Sequence, residues 1–217
     1  MRWGKIGARR MVSTLPFDAE VEWLESTGTQ WIDTGYKLST MNSMRVVLDF
    51  SNSGENSRKN IFGSNNEAGF NTYYQQASQF GFYFCGGYVY EGIPISVGVR
   101  STLDISVPKG TSSGVIIYDG VSYNTTARRH VQSDTNFFIF TQVPQSERAS
   151  KLKVFSCRIF DDGILVRDFI PVRIGSVGAL YDRRGVGGMN PDGSARTDGL
   201  YFNRGTGAFI VGPDKIA

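Results

Sequence analysis

Three acids stand close together near the start of the chain, Glu20, Glu22 and Glu25 in "EVEWLE". Residues two apart on a strand share a face, so Glu20 and Glu22 project together, while Glu25 joins them only through a bulge. Retaining cleavage of a glycosidic bond needs two carboxyl groups about 5 to 5.5 Å apart across the sugar, one of them held protonated. Ser26-Thr27-Gly28 breaks the strand immediately, and the sequence offers no second acid cluster to oppose the triplet across a cleft. The reading is therefore structural: Trp23 and Leu24 anchor a first strand, and the acids face solvent.

Other reactive residues are sparse. The single histidine, His130, lies in the polar loop "TTARRHVQSD". Cys85 and Cys157 sit in aromatic-rich strand patterns, without the neighbouring base that a thiol nucleophile requires. Both are expected to be buried free thiols. Asn124-Thr125-Thr126 matches a glycosylation sequon and reads as a turn. For a metal, Asp33-Thr34-Gly35 offers one carboxylate and the loop "MNPDGSARTDG" offers Asp192 and Asp198. Calcium takes six to eight oxygens, and no D-x-D-x-D run supplies them. No metal or cofactor is expected, with calcium at the loop left as an alternative. Gly205-Thr206-Gly207 precedes no helix and reads as a turn rather than a phosphate loop. Arg167-Asp168 and Asp182-Arg183 read as partners in an inter-strand hydrogen-bond network.

The strongest binding signal is aromatic. In "QFGFYFCGG", alternation puts Phe80, Phe82 and Phe84 on one face, expected to be core, and Gly81, Tyr83 and Cys85 on the other. Aromatic rings stack on the C–H face of sugars while amides and hydroxyls meet their hydroxyl groups. Tyr73, Tyr74, Gln75, Tyr83, Tyr88 and Tyr90 are thus the candidate ligand-binding residues, lining a sheet surface or its rim.

These residues must be held by strands. The chain has 217 residues with 40% hydrophobic and 20% charged content, 15 Phe, 10 Tyr and 26 Gly, a mixture that favours strands and tight turns. "SMRVVLDF" alternates cleanly, with Met44, Val46 and Leu48 on one side and Arg45, Val47 and Asp49 on the other. "SGVIIYDGVSYN" and "KLKVFSCRIFDDGILVRDFIPVRI" carry Asp-Gly between two β runs, a hairpin signal. The count is about twelve strands, with turn signals every 8 to 12 residues or so, as in an antiparallel sandwich. No apolar run approaches the roughly 18 residues of a membrane span. The net charge of +3 is too small to make nucleic acid a default partner. The basic excess gathers at the start, where "MRWGKIGARR" holds Arg2, Lys5, Arg9 and Arg10 and no acid. No apolar core of a secretory signal follows. The expected organisation is a basic arm over residues 1–17 and one domain over 18–217, with "RRGVGGMNPDGSARTDG" (183–199) as a long exposed loop.

The segments "EVEWLESTGTQWIDTGY", "IFGS", "KVFSCRIFDDGILVRDFIPVR" and "ALYD…LYFNRGTGAFIVGP" resemble the concanavalin A-like, laminin-G-like jelly-roll modules found in gut bacterial and phage proteins. The resemblance runs from about Glu20 to Pro213. It implies an all-β, two-sheet antiparallel jelly roll with a short N-terminal arm, and fold alone does not fix function. It further suggests a non-catalytic recognition or decoration module on a virion, as capsid decoration or tail fibre, binding a glycan or surface polysaccharide. Arg2, Trp3, Lys5, Arg9 and Arg10 would then join the larger assembly, with no membrane insertion and no nucleic acid. The setting is a particle assembled in the bacterial cytoplasm or, alternatively, the cell surface. Two other readings stand beside it. One is a purely structural assembly subunit. The other is a glycoside hydrolase, since the opening triplet also resembles the E-x-D-x-x-E strand of laminarinase-type enzymes.

Overall fold

A computed structural model describes residues 15–38, 42–54, 56, 58–64, 70–76, 79–84, 87–109, 113–126 and 135–216. Arg2, Trp3, Lys5, Arg9 and Arg10, together with Cys85 and His130, lie outside the described residues. Among those described, seventeen strands follow one another with a single 3-10 turn, Ser146–Arg148.

The longest strands follow from local signals. β4 (Met44–Asn52) buries Met44, Val46, Leu48 and Phe50 on alternate positions. Further along, β13 (Lys151–Asp161) and β14 (Ile164–Ile174) form a hairpin through Asp162 and Gly163, whose φ values of 47° and 78° are those of a type I′ turn. β10 (Ser113–Tyr118) and β11 (Val121–Thr126) repeat the device at Asp119 and Gly120, with φ of 48° and 83°. With β9 (Arg100–Val107), β15 (Val177–Asp182) and β16 (Leu200–Phe202), these strands form a sheet in the order β11-β10-β9-β4-β13-β14-β15-β16. Three short strands complete it: β1 (Ala19–Glu20) on β14, β2 (Leu24–Thr27) on β13, and β17 (Ile210–Val211) on β2.

The second sheet runs β3-β12-β5-β6-β7-β8, from β3 (Ile32–Asp33) and β12 (Phe138–Ile139) through β5 (Asn60–Ser64) and β6 (Phe70–Gln76) to β7 (Gln79–Phe84) and β8 (Gly87–Pro94). All ladder pairings in both sheets are antiparallel. One continuous core joins the sheets, with Phe50, Phe62, Phe82, Phe137, Phe140, Phe169 and Tyr201 fully buried. Burying an aromatic side chain of this kind stabilises by about 1.5–3 kcal/mol relative to exposure. Among the described residues no helix is long and apolar enough to cross a membrane.

The strand count exceeds the sequence expectation of about twelve. The additional elements include the two-residue strands β1, β3, β12 and β17. A segment that short has no periodicity to read; only its hydrogen-bonding partner makes it a strand. Phe17, the last residue of the expected arm, is 8% exposed and packs against Tyr181 with ring centroids 5.0 Å apart.

Candidate functional site

The tyrosine-rich strands β6, β7 and β8 are neighbours, as the sequence suggests, but their register separates the candidate residues. Tyr83 lies opposite Asn71 on one side and Tyr88 on the other. Phe82, fully buried, lies opposite Thr72 and Tyr90. Tyr73 pairs with Gly81, Tyr74 pairs with Phe80, and Gln75 falls in a register shift between Tyr74 and Gln76. Two further shifts in the β7–β8 ladder put Tyr88 and Tyr90 in neighbouring rows. The six residues therefore occupy several rows rather than one. The Tyr83 side chain is half-buried; those of Tyr73, Tyr74, Gln75, Tyr88 and Tyr90 lie outside the described residues.

A concave site lies at the opposite end of the same sheet. β12 is followed by Phe140, a fully buried residue with φ of 74°. The left-handed conformation costs a bulky residue roughly 1–2 kcal/mol. It is imposed by the surroundings: the Phe140 N–H donates to Ile61 O at 2.8 Å, and its carbonyl accepts from Ser150 N at 2.8 Å. Phe140 turns the chain out of the sheet. Thr141 then tightens the next turn, its hydroxyl donating to Val143 O at 2.9 Å. The segment from Gln142 to Gln145 becomes one wall of a cleft of about 520 Å³. Phe138, Val143 and Pro144 supply its apolar surface, and Thr135, Asn136, Gln142 and Gln145 its polar groups, with Lys37 as the one charged residue among the described lining residues. The Gln142 Oε1 atom is buried and has no hydrogen-bond partner among the described residues. Such an atom costs free energy unless a donor reaches it.

Behind the cleft sits Asp33, 5% exposed. Its Oδ1 accepts from Gly35 N and Asn136 Nδ2, both at 2.9 Å, and its Oδ2 accepts from Arg204 Nη1 at 3.3 Å. Arg204 lies over the Trp31 indole at 5.5 Å, and Trp31 meets Phe138 edge-on at 5.5 Å. Asp33 thereby orients Asn136 against the cleft. Beside Lys37, the Tyr36 hydroxyl donates to Asp161 Oδ2, and burial with this bond pushes the phenol well above its usual range.

The Arg-Asp pairs of β14 and β15 form the expected inter-strand network, crossed between the two dipeptides. Asp168 Oδ2 accepts from Arg183 at 2.7 and 2.9 Å. Asp182, fully buried, accepts from the N–H groups of Asp168 and Arg184 and lies 3.7 Å from Arg167 Nε. The opening acids are dispersed. Glu20 pairs with Lys215 at 3.6 Å, Glu25 pairs with Lys153 at 3.9 Å, and Glu22 is exposed. Leu24 is fully buried, while Trp23 is half-buried beneath the Lys153 ammonium at 4.1 Å.

The 183–199 loop is more ordered than a long exposed loop. Met189 bridges to Ala195 and Tyr201. Asp192 Oδ1 accepts from Ser194 N and Oγ, and Arg196 engages both oxygens of Asp198. No group of three or more His, Cys, Asp or Glu residues suited to a metal occurs among the described residues. Cys157 is fully buried, and burial raises its thiol pKa well above the ordinary value.

The cleft residues escaped the sequence reading. "NFFIFTQ" reads only as a short apolar run, and nothing local signals that its end bends outward at Phe140 to face Lys37.

No protein-family model matches the chain, and no curated protein is similar to it in sequence. Its fold is nevertheless shared with solved structures. A Bacteroides ovatus protein proposed to bind carbohydrate superposes with a TM-score of 0.63 over 93% of this chain at 11% identity. The chain spans only 62% of that protein's length. An alginate lyase of polysaccharide lyase family 7 superposes at 0.42, with 12% identity over 58% of this chain and 62% of its own. A heptameric SAP-like pentraxin from Limulus polyphemus superposes at 0.46, with 11% identity over 65% of this chain and 75% of its own. The chain is an all-β, antiparallel two-sheet jelly-roll sandwich, the fold it shares with the Bacteroides ovatus protein.

Proposed function

We propose that this domain is a non-catalytic glycan-recognition module and that the cleft beside β12 receives the sugar. The observation that carries the reading is the chemistry of that cleft. Amide and hydroxyl groups from Thr135, Asn136, Gln142 and Gln145 surround an apolar surface, and the buried Gln142 Oε1 awaits a donor. Sugars present that pattern in reverse: hydroxyl groups around the rim of a ring whose C–H face is apolar. The volume of about 520 Å³ lies within the roughly 300–1,000 Å³ of small-ligand sites. The fold shared with a protein proposed to bind carbohydrate is consistent with this reading. Display on a virion or other particle rests on the sequence resemblance alone.

The test is a glycan array with the full chain, followed by 15N chemical-shift mapping with the best oligosaccharide. Shifts should concentrate at residues 135–145 and Lys37, and Gln142→Leu should weaken binding about five- to tenfold, the worth of one hydrogen bond. Shifts confined to residues 73–90 would move the site to the tyrosine strands. Absence of binding to every glycan at millimolar concentration would remove the proposal.

A second reading, an assembly subunit that binds no sugar, draws on the outer edge of β11. No strand pairs with that edge among the described residues, and Val121 on it is 55% exposed. Sedimentation velocity over a hundredfold concentration range would detect the association this reading requires.

A further inference from the structure

Resting on the glycan reading above, we infer that the cleft selects sugars bearing an anionic substituent, a carboxylate or a sulfate ester. Among the described residues that line it, the cleft has one cation, Lys37, and no acid. Lys37 is exposed and makes no ion pair among the described residues. The carboxylates behind it are already engaged. Asp33 is held by Arg204, Asn136 and the Gly35 N–H, and Asp161 by the Tyr36 hydroxyl.

The polar groups of the cleft are polarised in the same sense. Only the NH₂ end of an amide can face a carboxylate, so the bond to Asp33 fixes which way Asn136 points. Its amide protons are turned toward the protein, and its carbonyl oxygen has no partner among the described residues. Gln142 likewise presents a buried oxygen without a donor. Two amide side chains and one ammonium therefore line one cleft. That set accepts protons from two sugar hydroxyls and places a positive charge against a third substituent. A neutral sugar satisfies the carbonyls and leaves the ammonium to water; an acidic sugar satisfies all three. Asp33 is accordingly a positioning residue for Asn136.

The experiment is isothermal titration of the full chain with matched oligosaccharides: alginate, pectate and glucuronan tetramers, the carboxyl-reduced neutral form of each, and sulfated tetramers of the same neutral sugars. At least one acidic member should bind about three- to tenfold tighter than its neutral counterpart, as expected for a charge-assisted contact at a partly exposed rim. Lys37→Gln, a change at an exposed position, should abolish that preference. Raising the salt to 0.5 M should erode the preference in the same way, because exposed charges are screened. Preference for carboxylate over sulfate, or the reverse, identifies the substituent. Equal binding of acidic and neutral members, or a preference that survives Lys37→Gln, overturns this inference and leaves the glycan reading standing. Binding of none overturns both.

Discussion

Replacing Asp33 by alanine probes whether the wall of the cleft is held as described. The carboxylate is almost buried and accepts three hydrogen bonds, from Gly35, Asn136 and Arg204. Gly35 is exposed and Asn136 half-exposed, so both donors regain water in the variant, and each lost bond costs about 0.5–1 kcal/mol. Arg204 is the larger contribution. Removing one partner of a fully buried pair costs about 3–5 kcal/mol. Here the side-chain exposures of 27% for Arg204 and 7% for Asp33, with a separation of 3.3 Å, reduce that to about 1–2 kcal/mol. The total is about 2–4 kcal/mol, or a fall in Tm of about 4–16 °C for a domain of this size. Asp33→Asn should cost about half as much, because an amide oxygen still serves two of the donors. Urea unfolding of both variants, and of Arg204→Met alone and with Asp33→Ala, measures these values and their coupling. A loss below about 0.5 kcal/mol for Asp33→Ala would show that the carboxylate does not hold the wall. Additive effects of Asp33→Ala and Arg204→Met would show that the two side chains do not interact.

Two glycines separate steric from conformational demand. At Gly205 a Cβ would lie 1.9 Å from the Thr29 carbonyl oxygen and 2.8 Å from the Trp31 ring, so Gly205→Ala should cost at least about 2 kcal/mol. At Gly163, with φ of 78° and open space around it, Gly163→Ala should cost only about 1 kcal/mol; urea midpoints that reverse this order would contradict the packing described. The Arg196 guanidinium, with a smaller contribution from the Leu200 N–H, holds the Asp198 carboxyl below its ordinary value. A folded-state value below the unfolded one adds stability that is fully present above the ordinary Asp range, near 3.9, and is lost as the pH falls through the depressed value. Side-chain carboxyl NMR should place the Asp198 midpoint below that range and Arg196→Met should raise it; an ordinary midpoint in the parent protein would break the pair.

Much of the architecture was legible because it is locally encoded. Asp119-Gly120 and Asp162-Gly163 announce their hairpins, since few other pairs accept two consecutive left-handed residues without strain. The alternation of Met44, Val46 and Leu48 names the buried face of β4 before any partner is known. The tyrosine strands were legible as strands but not as a surface. Alternation assumes an unbroken ladder, and the register shifts around Tyr74–Gln76 and Phe80–Tyr83 break that assumption. The cleft was not legible at all. It needs Phe140 held left-handed by Ile61 and Ser150, and Asn136 turned toward an aspartate 103 positions earlier.

The sequence by itself determined which stretches become strands and where the tight turns fall, because backbone preference and a two-residue period act over a few neighbouring residues. Only the tertiary structure decided that Lys37, Asn136 and Gln142 share a cleft and that Glu20, Glu22 and Glu25 do not. Those groupings depend on which strands meet across the sheet, and no local preference carries that information.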